Sequence, residues 1–159
     1  MTEQQVEFLK LAVIEQKTYE YIAQALNVPR SDLSTWWEEL KTEREALAIL
    51  RDVWKRKFTD MDFWHFKQWM ETTPKQCYYC QITEEQISAL WQKYPELTKR
   101  TRGRKLEIDR KKPNESYDNK ENLVLCCYWC NNAKTDTFTE EEFLEVGQVI
   151  KGIWQNRLN

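Results

Sequence analysis

LEIDRKKPNESYDNKENLVLCCYWCNNAKTD, residues Leu106–Asp136, carries the pattern on which the fold turns. It opens on an apolar-acidic strand end, Leu106-Glu107-Ile108-Asp109, and continues into a polar turn. A second apolar strand covers Asn122 to Leu125. A Cys-x-x-Cys pair, Cys127 and Cys130, then opens a polar helix. Short apolar runs bounded by turn residues read as strands, and the change of period that follows reads as a helix. The stretch therefore predicts a β-hairpin running directly into a helix.

A second Cys-x-x-Cys pair, Cys77 and Cys80, lies upstream, and 46 residues separate Cys80 from Cys127. A two-residue spacer lets both sulfurs of one pair reach the same ion. Two such pairs provide the closed, four-thiolate set of a structural Zn²⁺ site. A redox pair is the competing reading, but two matched pairs flanking one coherent motif favour zinc. The metal then pins the flanks of the hairpin rather than its tip. Cys126 is the extra cysteine. Strand alternation points it away from Cys127, as a small apolar core residue.

The rest of the chain is expected to be mostly α. Its 159 residues include only three Gly and four Pro, with eight Trp and helix formers over long stretches. No apolar run is long enough to span a bilayer, and the polar start (Thr2, Glu3, Gln4, Gln5) has no signal-peptide pattern, so a cytoplasmic location is expected. Net charge is −2, unevenly spread: residues 97–112 hold eight Lys or Arg against two acids, +6, and the remainder is −8. A focused basic segment on an acidic body suits phosphate contact, and equally a solvated loop.

Two domains are expected, a helical region over 1–73 and a zinc-stapled module over 74–159. Val6, Leu9, Val13 and Ile14 give residues 3–16 helical spacing. Thr18 to Leu40 resembles a helix-turn-helix: Ile22, Leu26, Val28, Leu33 and Trp36 fill its core positions, Ala23 the helix crossing and Asn27 the turn. Pro29 with Ser31 or Asp32 would start the second helix. If that helix reads DNA, Arg30, Ser31, Ser34, Thr35 and Trp37 face the groove; Asp32, Glu38 and Glu39 oppose phosphates, and a structural or protein-binding hairpin competes. A further helix runs from Thr59 or Asp60 to Met70, its stripe of Phe63, Trp64, Phe66 and Trp69 packing the N-terminal helices against the zinc module. His65, the one histidine, reads as structural. Capping boxes mark helices at Thr83/Gln86 and Thr139/Glu142, the last burying Phe143, Val146, Ile150 and Trp154.

Over residues 77–136 the chain resembles the HNH nucleases, the ββα-metal endonucleases, in their zinc-knuckle variant. The resemblance implies a metal-dependent DNA endonuclease. Asp109 takes the family's metal-binding acid, Asn122 its central Asn and Asn131 its final His-or-Asn position. Asp109 and Asn131 would hold a catalytic Mg²⁺ or Mn²⁺, a hard cation suited to oxygen ligands. Asn122 would orient the base and stabilise the loop. The family's general-base His is Arg110 here, and a guanidinium keeps its protons near neutral pH. It can still contact the scissile phosphate, leaving proton removal to Tyr117, a metal-bound hydroxide or His65. Arg100, Arg102, Arg104 and Lys105 of the loop from Lys99 to Lys105 would follow the DNA backbone, Lys134 would meet a phosphate, and Asp136 is a further candidate ligand. Two rivals stay open: a degenerate nuclease fold that binds DNA without cutting, and a zinc-stapled module that binds a protein partner or a second copy of itself.

Overall fold

The computed structural model of the chain describes residues 1–98 and 100–159; Lys99, part of the basic loop, lies outside the described residues. Eight α-helices and one two-stranded antiparallel sheet are described. The chain divides into two compact units, Met1–Gln68 and Trp69–Asn159. Among the described residues, no helix is long and apolar enough to cross a membrane.

In the N-terminal unit, α1 (Glu3–Leu9) starts at a Thr2/Gln5 capping box and runs into a π-helical turn, Lys10–Ile14. The Glu15 amide reaches back five residues to the Lys10 carbonyl, at 3.0 Å. A wide turn rotates the following side chains relative to a 3.6-residue period. Phe8, Leu9, Leu11, Val13 and Ile14 are buried across this junction, while Val6, assigned to the core by simple spacing, lies before it and is exposed.

α2 (Tyr19–Leu26) ends at Asn27 in the left-handed region, φ 52°, and α3 (Arg30–Glu39) follows. An amide side chain tolerates that conformation, so the turn closes there as its residue type predicts. Pro29, not Ser31 or Asp32, is the N-cap of α3, with no side-chain cap. Phe8 centres an aromatic cluster, its ring 5.7 Å from Trp36, 6.2 Å from Tyr19 and 6.4 Å from Trp37. Trp37 therefore packs against the core rather than standing on the open face with Arg30, Ser31, Ser34 and Thr35, which are exposed. α4 (Lys41–Lys57) begins after a break at buried Leu40. The Asp62 carboxylate accepts from the Trp64 and His65 amides and so starts α5 (Phe63–Thr72), three residues beyond Thr59. Phe63 and Phe66 are buried against Trp54 and Phe58, with ring centroids 5.7 Å and 5.0 Å apart.

In the C-terminal unit, a Thr83/Gln86 capping box opens α6 (Glu84–Lys93). β1 (Glu107–Arg110) pairs with β2 (Leu123–Cys126) in the register Glu107–Cys126, Ile108–Leu125, Asp109–Val124 and Arg110–Leu123. Asn122 closes a short 3₁₀ turn, Lys120–Asn122, rather than opening the strand. α7 (Tyr128–Lys134) starts at Cys127, and α8 (Glu140–Leu158) at a Thr139/Glu142 capping box. Cys77, Tyr79, Cys80, Ile82, Ile87, Leu90, Trp91, Val124, Phe143 and Trp154 form one core.

α8 faces that core with Phe143, Gly147, half-buried Ile150 and Trp154, while Val146 is 37% exposed instead of buried. Gly147 is the reason. A Cβ there would lie 2.6 Å from the Tyr79 carbonyl oxygen, so the helix turns its bare backbone, not Val146, toward the knuckle.

Candidate active site and metal centre

The Cys77–Cys80 knuckle is a tight turn. The Cys77 amide donates to the Ile82 carbonyl at 2.9 Å, the Gln81 amide returns to the Cys77 carbonyl at 2.9 Å, and Gln81 takes φ 61°. The Tyr78 amide donates to the Leu125 carbonyl at 2.8 Å and so fastens the knuckle to β2. The second pair sits where β2 becomes α7. All four cysteines are buried and free of disulfides, with their sulfurs within 4.8 Å of one another.

The donor set fits a tetrahedral zinc ion. Zn–S bonds of about 2.3 Å imply S···S edges of roughly 3.8 Å, and Cys80 Sγ lies 3.6 Å from Cys127 Sγ. The electrostatics point the same way. The Cys77 thiol is pulled far down by hydrogen bonding from Cys126 and then from the other three cysteines. Cys127 is pushed far up, chiefly by Cys130, then Cys77 and Cys80, and by burial. Four thiols this close cannot ionise together unless a cation takes up the charge. Cys126 is buried beside the set, donating to the Cys127 carbonyl at 3.4 Å.

The staple positions two helical and two strand side chains on one face. Strand alternation puts Glu107 and Asp109 on the same side of β1, and an i, i+3 spacing puts Asn131 and Lys134 on the same side of α7. The contacts run in two ranks. The Asn131 amide donates to Glu107 Oε2 at 2.7 Å. Lys134 Nζ lies 3.6 Å from Asp109 Oδ2 and donates to the Arg110 carbonyl at 2.8 Å. Tyr79 adds its hydroxyl to Asp109 Oδ2 at 3.4 Å. Burial first, then the Asp109 charge, raises the Tyr79 phenol well above its ordinary range.

Asp109 and Asn131 thus share a face, but no direct bond joins them; each has its own partner. Lys134 corrects the expected phosphate contact. It is 1% exposed, turned under β1 by the pull of Asp109 and the Arg110 carbonyl, and unable to meet a backbone phosphate.

Arg110 leaves that face. Its Nη1 donates to the Glu115 carbonyl at 2.8 Å, and its guanidinium stacks 4.3 Å from the Tyr117 ring centre. Its Nε is buried with no hydrogen-bond partner. Asn122 is 4% exposed and mimics a backbone strand, accepting from the Lys112 amide at 2.8 Å and donating to the Lys112 carbonyl at 3.0 Å. Its bonds are those of a loop staple. Asn132 donates back to the Tyr128 carbonyl, and Asp136 is exposed in a separate depression with Lys111 and Lys112. His65, in the N-terminal unit, is exposed, its Nδ1 3.6 Å from Asp62.

A groove of about 580 Å³ opens beside Glu107 and Asn131, lined also by Arg102, Arg104, Lys105 and Tyr128. Two anchors shape it. Trp91 donates its indole N–H to the Gly103 carbonyl at 3.0 Å and carries the Arg104 guanidinium 4.1 Å from its ring. Gly103 holds φ 85°, and a Cβ there would lie 2.9 Å from Tyr128 Cβ. Only glycine lets the basic loop pass this close to the start of α7. Arg100, Arg102 and Lys105 are exposed. Glu107, not singled out from sequence, is the acid that faces this groove; the alternation Glu107-Ile108-Asp109 was the available signal.

No family model and no curated protein matches the chain. Among solved structures it is similar to the rare-cutting HNH restriction endonuclease PacI, described with an extraordinary mechanism of DNA perturbation. The match has a TM-score of 0.53 and 23% identity over 76% of this chain and 78% of that one. That likeness establishes a shared fold: a mostly helical chain carrying an HNH-like hairpin-helix module.

Proposed function

We propose that the C-terminal unit is a metal-dependent endonuclease that hydrolyses DNA phosphodiesters, with the N-terminal helix-turn-helix delivering it to DNA. The observation that supports this most is the groove in which an acidic strand edge and a helical Asn131 meet a rim of arginines and lysine, on a fold shared with an HNH endonuclease. Asp109 and Asn131 would hold Mg²⁺ or Mn²⁺. Carboxylate and amide oxygens are the ligands such hard cations take. When bound, the ion supplies charge neutralisation at the leaving oxygen.

The chain's own groups do the rest. Arg102 and Lys105 take the phosphates flanking the cut. Arg110 reaches the scissile phosphate only by leaving the Glu115 carbonyl and the Tyr117 ring and turning toward the Asp109 face, where its N–H groups would meet the charge that builds. Glu107 is the base within the groove able to accept a proton from water, because no histidine lies in this unit.

A second reading has its own support. Lys134 already neutralises Asp109, and Arg110 is engaged by Glu115 and Tyr117, an arrangement that also suits a protein binding DNA without cutting it. A cleavage panel separates the two: wild type, Asp109→Ala, Glu107→Gln and Arg110→His with Mg²⁺ or Mn²⁺ on plasmid DNA. Cutting by the wild type that Asp109→Ala abolishes is the expected result. Intact plasmid with every metal, alongside retained DNA binding, would establish the non-cutting reading instead.

A further inference from the structure

The N-terminal unit contains a pocket that the proposed chemistry does not use. It has a volume of about 390 Å³ and is walled by Val13, Gln16, Lys17, Trp37, Arg44 and Arg51, with Glu45 the one acid among its described lining residues. Two of its polar side chains are already engaged. Arg51 donates to the Val13 carbonyl at 2.9 Å and to Asp52 through two nitrogens at 3.1 Å and 2.8 Å. Gln16 accepts from Lys55 at 2.6 Å.

Arg44 is different. Its guanidinium carbon is 3.9 Å from the Trp37 ring centre, and no described hydrogen bond or ion pair reaches its side chain. Its Nε is buried without a partner. A stacked arginine is held flat with its donors pre-arranged, and a buried donor without an acceptor is unfavourable until an acceptor arrives. Lys17 brings a second positive charge to the same wall.

The pocket also has a direction. Trp37, three residues after Ser34 and seven after Arg30, is their neighbour along α3 but is turned inward from their exposed stripe, toward Phe8. The exposed Arg30–Ser34 stripe therefore leads to the lip of the pocket.

We propose that this pocket binds phosphate, with Arg44 donating to its oxygens and Lys17 adding charge, and that the phosphate is a backbone phosphodiester of DNA lying along α3. The DNA source rests on the function proposed above; the phosphate chemistry does not.

The test uses the zinc-loaded full chain and a short duplex, with affinity measured by fluorescence anisotropy across a salt series. Arg44→Gln should weaken binding about tenfold on every duplex tried and lower the salt slope by about one. Arg44→Lys should restore the slope, and Lys17→Gln, at an exposed position with little bearing on folding, should lower it in the same sense. Wild-type affinity and slope in both Arg44→Gln and Lys17→Gln overturn the proposal.

A second arm titrates inorganic phosphate against thermal unfolding. A stabilisation lost in Arg44→Gln, with the duplex slope unchanged, overturns DNA as the occupant. Should the wild type bind no duplex at all, the endonuclease reading fails by itself. The phosphate arm then decides the pocket: an Arg44-dependent stabilisation upholds it, and none overturns it.

Discussion

Lys134→Met is the sharpest perturbation of the C-terminal unit. Lys134 is 1% exposed and Asp109 13%, and the two lie 3.6 Å apart. Methionine keeps the length and packing of the side chain and removes only the charge and the donor. Removing one partner of a buried pair strands the other, at roughly 3–5 kcal/mol. Water can reach Asp109 in part, which places the loss near the lower bound, about 3 kcal/mol. The freed Arg110 carbonyl keeps it from being smaller. The double change Lys134→Met with Asp109→Asn removes both charges, and it should recover most of the loss. The assay is urea unfolding of the zinc-loaded protein followed at individual amides, with Ile108 and Val124 reporting this unit and Ile22 and Leu33 the other. With a slope of about 1–3 kcal/mol per molar urea, the C-terminal midpoint should fall by about 1–3 M while the N-terminal one holds. A loss below about 1 kcal/mol, or a double variant no more stable than the single one, would refute the claim that Lys134 acts as a buried counter-charge.

Two further outcomes are expected. Stripping the metal with a chelator should collapse the amide spectrum of residues 69–159 and leave that of 1–68 dispersed, because four-thiolate zinc binding contributes about 10–16 kcal/mol, as much as a small unit's whole stability; a C-terminal spectrum unchanged by chelation would show that the cysteines fold without an ion. Tyr78, exposed but hydrogen-bonded to Glu140, has its phenol pushed up to about 12, chiefly by that bond. Below pH 10 both folded and unfolded states keep the proton and the stabilisation is complete; above it the unfolded state ionises first, so stability should fall as pH rises toward about 12 and the contribution vanish beyond. Tyr78→Phe should flatten that fall, and an identical pH profile for the two proteins would remove Glu140 from the account.

Much of the fold was legible because it rests on local chemistry. The capping boxes at Thr83 and Thr139 satisfy helix N–H groups from residues three apart, so the sequence contains both partners. The left-handed turn at Asn27 and the gathering of the four cysteines depend on residue type and spacing in the same way. What escaped depends on non-local geometry. The π turn at Lys10–Ile14 changes the helical period, and Val6, placed inside by spacing, is exposed on the regular helix before it. Gly147 selects the buried face of α8 through a carbonyl 68 positions earlier in the chain, that of Tyr79, which no periodicity reveals. Trp37 was read by its position on a recognition helix, whereas the Phe8 cluster draws it inward.

The candidate site divides along the same line. Each member could be placed on its own element, but the pairing between elements could not. Two strand residues span about 6.6 Å and three helical residues about 4.5 Å, so two ranks cannot both meet through side chains of equal reach. Short Asn131 therefore faces Glu107, and a long side chain is needed to close the wider gap to Asp109; lysine at 134 is that side chain. The lysine that looked like a phosphate contact is the element that lets a helix and a strand of different pitch share one acidic face. In the proposed endonuclease this leaves Glu107 and Asn131 open to the groove, and gives Asp109 a fixed position set from below by Lys134 and Tyr79.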